Sequence, residues 1–276
     1  MNPEPLNPGV DMNVLLTNDD GIYAQGLWAL YNSFAKNHQV AVVAPDRERS
    51  AIGHAITLNQ PLRAAKISLN GEYNGYAVNG TPADCIKLAI LEILPTRPDV
   101  VVAGINPGAN VGANLNYSGT VAAAKEAALY GTIGIAVSIE GAQIKNYDNA
   151  ARFVAKLSET VFKKGLPFGT FLNVNMPNLP LNALAGVQIS RQGVEILSEY
   201  VDKRMDPRNR TYYWQGRDMQ SFGEDSRIDG TALNQNFISI TPVKCDMTDY
   251  RVLEDLAEWD LGIEELGDSG IEGLRN

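Results

Sequence analysis

The strongest constraint on this fold is an alternation that runs through the first 165 residues. Short, continuous apolar runs take turns with amphipathic stretches of helical length. Met12 to Thr17, Gln39 to Ala44, Asp99 to Ala103 ("DVVVA") and Ile133 to Ile139 read as strands buried on both faces, the pattern of a parallel sheet. Gly26 to Lys36 carries Leu27, Leu30, Tyr31 and Phe34 at helical spacing. Thr81 to Leu94 opens on T-P-A-D, in which Thr81 caps, Pro82 suits the first turn and Asp84 completes a capping box. Thr120 to Tyr130 is alanine-rich and stops at Gly131, and Asp148 to Lys164 reads as a fourth helix. Parallel neighbours need long crossovers, which these helices supply, so the spacing predicts a mainly parallel α/β sheet with right-handed connections.

Two segments break the alternation. Residues 55 to 79 read as hairpin material, with Asn-Gly pairs at 70–71, 74–75 and 79–80. After about residue 165 the helices give way to "TFLNVNMP" and "NFISITPV", two strand patterns, with a polar, irregular Gly193–Leu233 between them. The expected organisation is an α/β core over 12–190 and an irregular β-rich C-terminal extension over 191–276. That extension carries an arm or hairpin for oligomer contacts and a final core strand near 236–243. Tyr212, Tyr213 and Trp214 suit either a subunit contact or ordinary packing. The acidic tail from Leu253 to Asn276 shows one short helical pattern.

Composition removes several function classes. Asp plus Glu outnumber Lys plus Arg by 32 to 23, a net charge of −9. Duplex nucleic acid and anionic membrane both require a positive footprint, whereas a small phosphorylated ligand needs only a local site. Two distant cysteines, Cys85 and Cys245, form no disulfide framework, so reduced thiols and a cytoplasmic setting are expected. The start lacks a basic and apolar leader. No apolar run approaches the ~18 residues of a membrane helix. With His38 and His54 the only histidines, a His/Cys zinc site is disfavoured, and no G-x-S-x-G elbow is present. Chemistry here points to oxygen ligands and a hard metal.

Ligands of open parallel sheets bind outside the carboxyl ends of the strands. Three unusual loops follow such ends: "TNDDG", "APDRERSAIGH" and "GINPGANVGANLNYSGT". In the first, Asp19 and Asp20 stand side by side. Two carboxylates about 4 Å apart repel by roughly 4 kcal/mol at an effective dielectric near 20. Asp19 and Asp20 therefore read either as a solvated turn with a capping Asp19 or as a pair held around a divalent cation. The third loop, Gly104 to Ser118, reads as long and free of secondary structure. It places Asn106 and Asn110 among glycines that allow close backbone approach to a ligand. It ends in Ser118, Gly119 and Thr120 at a helix N-terminus, a place that favours an anion, though Ser118 also suits a plain N-cap. In the second loop, Asp46 to Arg49 reads as a solvated charge cluster, Ser50 as a modest ligand, and His54 as a hydrogen-bond donor to phosphate or a structural residue. His38 reads as an exposed helix end.

In their order, "TNDDGI", "VVAPDRERSAIGHAIT", "NGTPADCIKLA", "AGINPGANVGANLNYSGTVAAAKEAALYG" and "FISITP" resemble the stationary-phase survival protein SurE family of metal-dependent nucleotidases. The resemblance runs from Asn13 to about residue 243. It implies a three-layer α/β/α Rossmann-like fold, a divalent cation (Mn²⁺ or Mg²⁺) and a nucleoside monophosphate substrate cleaved at the 5′ or 3′ position. It also implies a homodimer or homotetramer. The family's metal ligands fall on Asp19, Asp20, Ser50 and Asn106. Ala103 departs from the family, whose members usually carry Ser there. On this reading the phosphate is cradled by Asn18, Asn110, Ser118, Gly119 and Thr120, and Asp20 doubles as the proton acceptor. An aspartyl-phosphate mechanism fits poorly, because Gly21 and Ile22 follow the adjacent pair. A nucleotide- or metal-sensing protein without turnover is the alternative from another class.

Overall fold

The computed structural model describes residues 11–69, 73–194, 199–217 and 222–259. Strand β1 (Asn13–Thr17) leads through helix α1 (Gln25–Phe34) to β2 (Gln39–Pro45). The hairpin strands β3 (Ala64–Leu69) and β4 (Tyr73–Val78) follow, then α2 (Pro82–Leu88) with a π-helical extension, and β5 (Val100–Pro107). Helix α3 (Gly119–Leu129), β6 (Ile133–Ile139), α4 (Tyr147–Lys164), β7 (Thr170–Met176) and the short β8 (Gly186–Ile189) come next. Among the described residues, strands β9 (Glu199–Met205) and β10 (Thr211–Arg217) pair only with each other, as an antiparallel hairpin. A short helix α5 (Asp229–Asn234) precedes β11 (Phe237–Lys244). The chain divides into two compact units between Cys245 and Asp246. Among the described residues the second unit holds helix α6 (Tyr250–Ala257), whose first turn is capped by Asp249.

The main sheet runs β3-β4-β2-β1-β5-β6-β7-β11-β8. From β4 to β7 every neighbouring pair is parallel, and β3 and β11 enter antiparallel. Alternation along β1 shows how the layers form. Val14 and Leu16 point to one face, where Leu27, Leu30 and Phe34 of α1 and Val154 of α4 cover them. Leu15 points to the other face, against Cys85 and Ile86 of α2 and Ala123 and Ala127 of α3. Each such side chain removed from water contributes about 1.5–3 kcal/mol, so both faces need a helical cover. The result is the three-layer, Rossmann-like α/β/α arrangement. Helix α3 approaches the sheet closely because β6 offers Gly134, where an added Cβ would lie 2.1 Å from Ala124 O.

The Thr81–Asp84 capping box forms as the spacing predicts, with Asp84 N donating to Thr81 Oγ1 and Thr81 N to Asp84 Oδ2. Other details differ from the sequence reading. Strand β5 continues through Gly104–Asn106 to Pro107, and residues 112–116 form a 3-10 turn, so the long loop is shorter and more ordered. Asn74-Gly75 lies inside β4, where Gly75 packs on Val42 of β2, and Asn70-Gly71 falls outside the described residues. His38 is buried, not exposed. The chain turns directly from α1 into β2, which tucks the imidazole against Phe34 and places Nε2 3.6 Å from Glu159 Oε1 of α4. Both cysteines are free. Among the described residues no helix is long and apolar enough to cross a membrane.

Candidate active site at the β1–β5 edge

The sheet grows leftward from β1 through β2 and rightward through β5, so the strand order reverses at this pair. The crevice at such a reversal is where open α/β sheets bind ligands. Asn18, Asp19 and Asp20 follow β1 into it. Asn18, almost fully buried, closes the turn: its Nδ2 donates to Gly21 O (2.9 Å) and its Oδ1 accepts from Gly21 N (3.2 Å). Gly21 is required on two counts. Its φ is +101°, and a Cβ would meet Arg47 C at 3.0 Å.

The two aspartates have opposite surroundings. Asp19 is 6 % exposed and its Oδ1 accepts a hydrogen bond from the Thr120 hydroxyl. Gly119 lies so close that an added Cβ would sit 2.9 Å from Asp19 Cβ. Burial raises the Asp19 pKa, while the Thr120 hydroxyl and the Thr120 and Gly119 N–H groups pull it back. The N-terminus of α3 therefore holds a side chain of the protein itself. Asp20 has no such support. Its Oδ2 is buried and accepts no hydrogen bond among the described residues. Burial, then Asp19 and Glu48, push its pKa up to about 7. A buried carboxylate oxygen without a donor costs stability unless a cation or ligand completes it.

The remaining expected ligands lie on the flanking segments. Arg49 N donates to Asp19 O at 2.7 Å, which fastens the second loop to the aspartates, and Ser50 follows it. Ser50 is exposed and its hydroxyl donates to Glu48. Asn106 stands near the end of β5, in register with Ser138 of β6. Its Nδ2 donates to Gly108 O at 2.7 Å, which orients the amide and leaves its oxygen for a ligand. Two carboxylates, an amide oxygen and a hydroxyl make an all-oxygen set, suited to a hard divalent cation. Among the described residues no group of three or more His, Cys, Asp or Glu could hold a metal.

The residues expected at the phosphate are mostly committed within the protein. Ser118 caps α3 through Val121 N. Asn110 donates from Nδ2 to Ser138 Oγ and from N to Asn175 Oδ1, while its carbonyl accepts from Asn173 and Asn175. Asn173 and Asn175 are fully buried on β7, and the sequence reading missed them. Their signal was visible: two amides at i and i+2 on an otherwise apolar strand share one face.

Glu126 of α3 was also missed. It is 5 % exposed, with its Oε2 2.7 Å from His54 Nε2 and its Oε1 3.5 Å from Lys87 Nζ. Burial alone would raise its pKa, but His54 and Lys87 hold it below the ordinary carboxylate value. The pair ties the Ser50 loop to the helix that holds Asp19, so His54 has a structural partner. Glu48 and Tyr147 complete the electrostatic surroundings of Asp20. Burial, and then Asp20, raise the Tyr147 phenol.

The family model described as Survival protein SurE matches residues 14–199. The chain belongs to the SurE family. It is 56 % identical over 248 residues to a protein of Desulfatibacillum aliphaticivorans named 5′-nucleotidase SurE, covering 90 % of this chain and 98 % of that one. A protein of the same name from Syntrophobacter fumaroxidans is 46 % identical over 250 residues, covering 91 % and 100 %. The crystal structure of the SurE protein from Aquifex aeolicus superposes with a TM-score of 0.78 at 34 % identity, covering 88 % of this chain and 98 % of that chain. SurE membership thus spans the aspartate turn, the Ser50 loop, Asn106 and α3, all inside the matched residues.

Proposed function

We propose that this SurE-family chain is a metal-dependent phosphatase that hydrolyses nucleoside 5′- and 3′-monophosphates to nucleoside and phosphate. What carries the reading is the Asp19–Asp20 pair, one carboxylate braced by a helix N-terminus and the other left with a buried oxygen that has no partner among the described residues, at the strand-order reversal. The names of the relatives support the substrate class.

Asp19, Asp20, Ser50 and Asn106 are the residues that would hold Mn²⁺ or Mg²⁺. When bound, the cation supplies positive charge to a phosphoryl oxygen and acidity to a water. Asp19 is fixed for this task by Thr120, so its geometry is set before substrate arrives. Asp20 also accepts the proton of the attacking water, through the oxygen that no donor among the described residues occupies. Asn18 and Asn110 each use one amide proton internally and keep a second for the phosphate, and Ser118 keeps its hydroxyl proton. Gly119 and Thr120 act on the phosphate through the Asp19 they hold.

The β9–β10 hairpin carries Tyr213 and Trp214, each 60 % exposed, and we assign it to contacts in a homodimer or homotetramer. Light scattering of the full chain checks this, and a monomer at micromolar concentration would refute it.

The deciding assay is phosphate release from AMP and GMP with Mn²⁺, with Mg²⁺ and with a chelator. Release that requires the cation is expected. Tight nucleotide binding with no release under any divalent metal would instead identify a sensor.

A further inference from the structure

We infer that the cleft beyond the ends of β6 and β7 is the nucleoside subsite, taking the base and ribose of a monophosphate whose phosphate lies at the Asp19–Asp20 edge. This rests on the nucleotidase reading above. The cleft has a volume of about 200 Å³. Its floor is Ile139 and Met176, the last residues of β6 and β7.

Strand register places this floor beside the candidate metal ligands. Asn106 lies opposite Ser138, Pro107 opposite Ile139, and Ile139 opposite Met176. Neighbouring strands are about 4.8 Å apart, so the cleft begins roughly one strand step from the Asn106 segment. Gly108 N donates to Ile139 O at 2.7 Å and fastens the two regions together. A phosphate ester held near Asn106 therefore has its sugar directed along the same sheet edge.

The lining chemistry fits a nucleoside. Leu181 and Leu184 join Met176 in presenting apolar surface for the flat face of a base. Asn146 and Asn149, at the start of α4, use their Oδ1 atoms internally, accepting from Asn149 N and from Arg152. Their Nδ2 groups have no partner among the described residues, so each offers N–H donors to base acceptors or ribose oxygens. Lys145 is the single charged side chain in the lining. One ammonium with amides and apolar carbons suits a neutral heterocycle and a polyol better than a second phosphate.

The test compares Leu181→Trp and Asn149→Ala with the unchanged full chain in Mn²⁺. Leu181 is half exposed, so the indole narrows the cleft without disturbing the core. The ratio of kcat/KM for AMP to that for p-nitrophenyl phosphate, which has no nucleoside, should fall at least about tenfold, through KM for AMP. An unchanged ratio in both folded variants overturns the proposal. If the unchanged chain hydrolyses neither compound, the nucleotidase reading fails separately. Calorimetric titration with adenosine alone then decides the cleft. Binding that Leu181→Trp weakens at least about tenfold supports it. No binding, or equal binding, overturns it.

Discussion

Two carboxylates withdrawn from water to different degrees, Asp229 and Asp20, differ in purpose. Asp229, at the start of α5, is fully buried and accepts from three backbone N–H groups: Gly112 (2.9 Å), Gly193 (3.0 Å) and Gly230 (2.8 Å). Burial raises its pKa and those N–H groups oppose the rise. Asp20 has partial burial, two neighbouring carboxylates and, among the described residues, no donor on Oδ2. Asp229 is a closed structural joint that clamps residues 111–112 beside Asn110. Asp20 is open. A buried acid that the protein has satisfied is architecture, and a half-buried one whose inner oxygen is left unsatisfied at a ligand-binding crevice is a site awaiting its ligand.

That contrast is open to experiment. The largest effect is expected from Asp20→Asn, and equally Asp19→Asn, which should lower metal-dependent phosphate release by about 10² to 10³ with the fold intact. Near-normal turnover in either variant would remove the site from the β1–β5 edge. Asp229→Ala should act on stability instead. It leaves three buried N–H groups without an acceptor, at about 1–3 kcal/mol each, so a loss of about 3 kcal/mol or more is expected in chemical denaturation. Equal denaturation midpoints for Asp229→Ala and the unchanged chain would erase the distinction. Thr120→Val removes the brace on Asp19 without touching its charge. A drop of about 10- to 100-fold in metal affinity or activity is expected, measurable by titrating the cation.

The smallest effect is a pH dependence. Burial and the neighbouring carboxylates push the folded pKa of Asp20 up to about 7, above the ordinary carboxylate value, so the folded state holds the proton more tightly. Its contribution therefore favours folding at low pH and is lost as pH rises from about 4 to 7. In metal-free protein, thermal midpoints over that window should fall more steeply for the unchanged chain than for Asp20→Asn. Parallel curves would contradict the raised pKa.

Parts of this were legible before any coordinates. The capping box was readable because Thr81 and Asp84 are three residues apart and the bonds are local. The strand-end location of Asp19 and Asp20 was readable because an apolar run stops there. Asn173 and Asn175 were visible on their strand, yet their shared partner Asn110 lies more than sixty residues away. The span from Gly193 to Leu233 looked like an extension alone. Gly193, Phe222 and Leu233 in fact also buttress the Asn110–Gly112 turn through Asp229 and an apolar cluster with Val111.

The sequence by itself determined the layered α/β fold, because strand and helix periods and caps act over a few residues. It also determined the family, and it put the aspartate pair at a strand end. Only the tertiary structure decided which aspartate is braced and which is open. The brace on Asp19 comes from Thr120, 101 residues along the chain. Hydrogen-bond satisfaction is set by distance in space, and spacing along the chain carries no record of it.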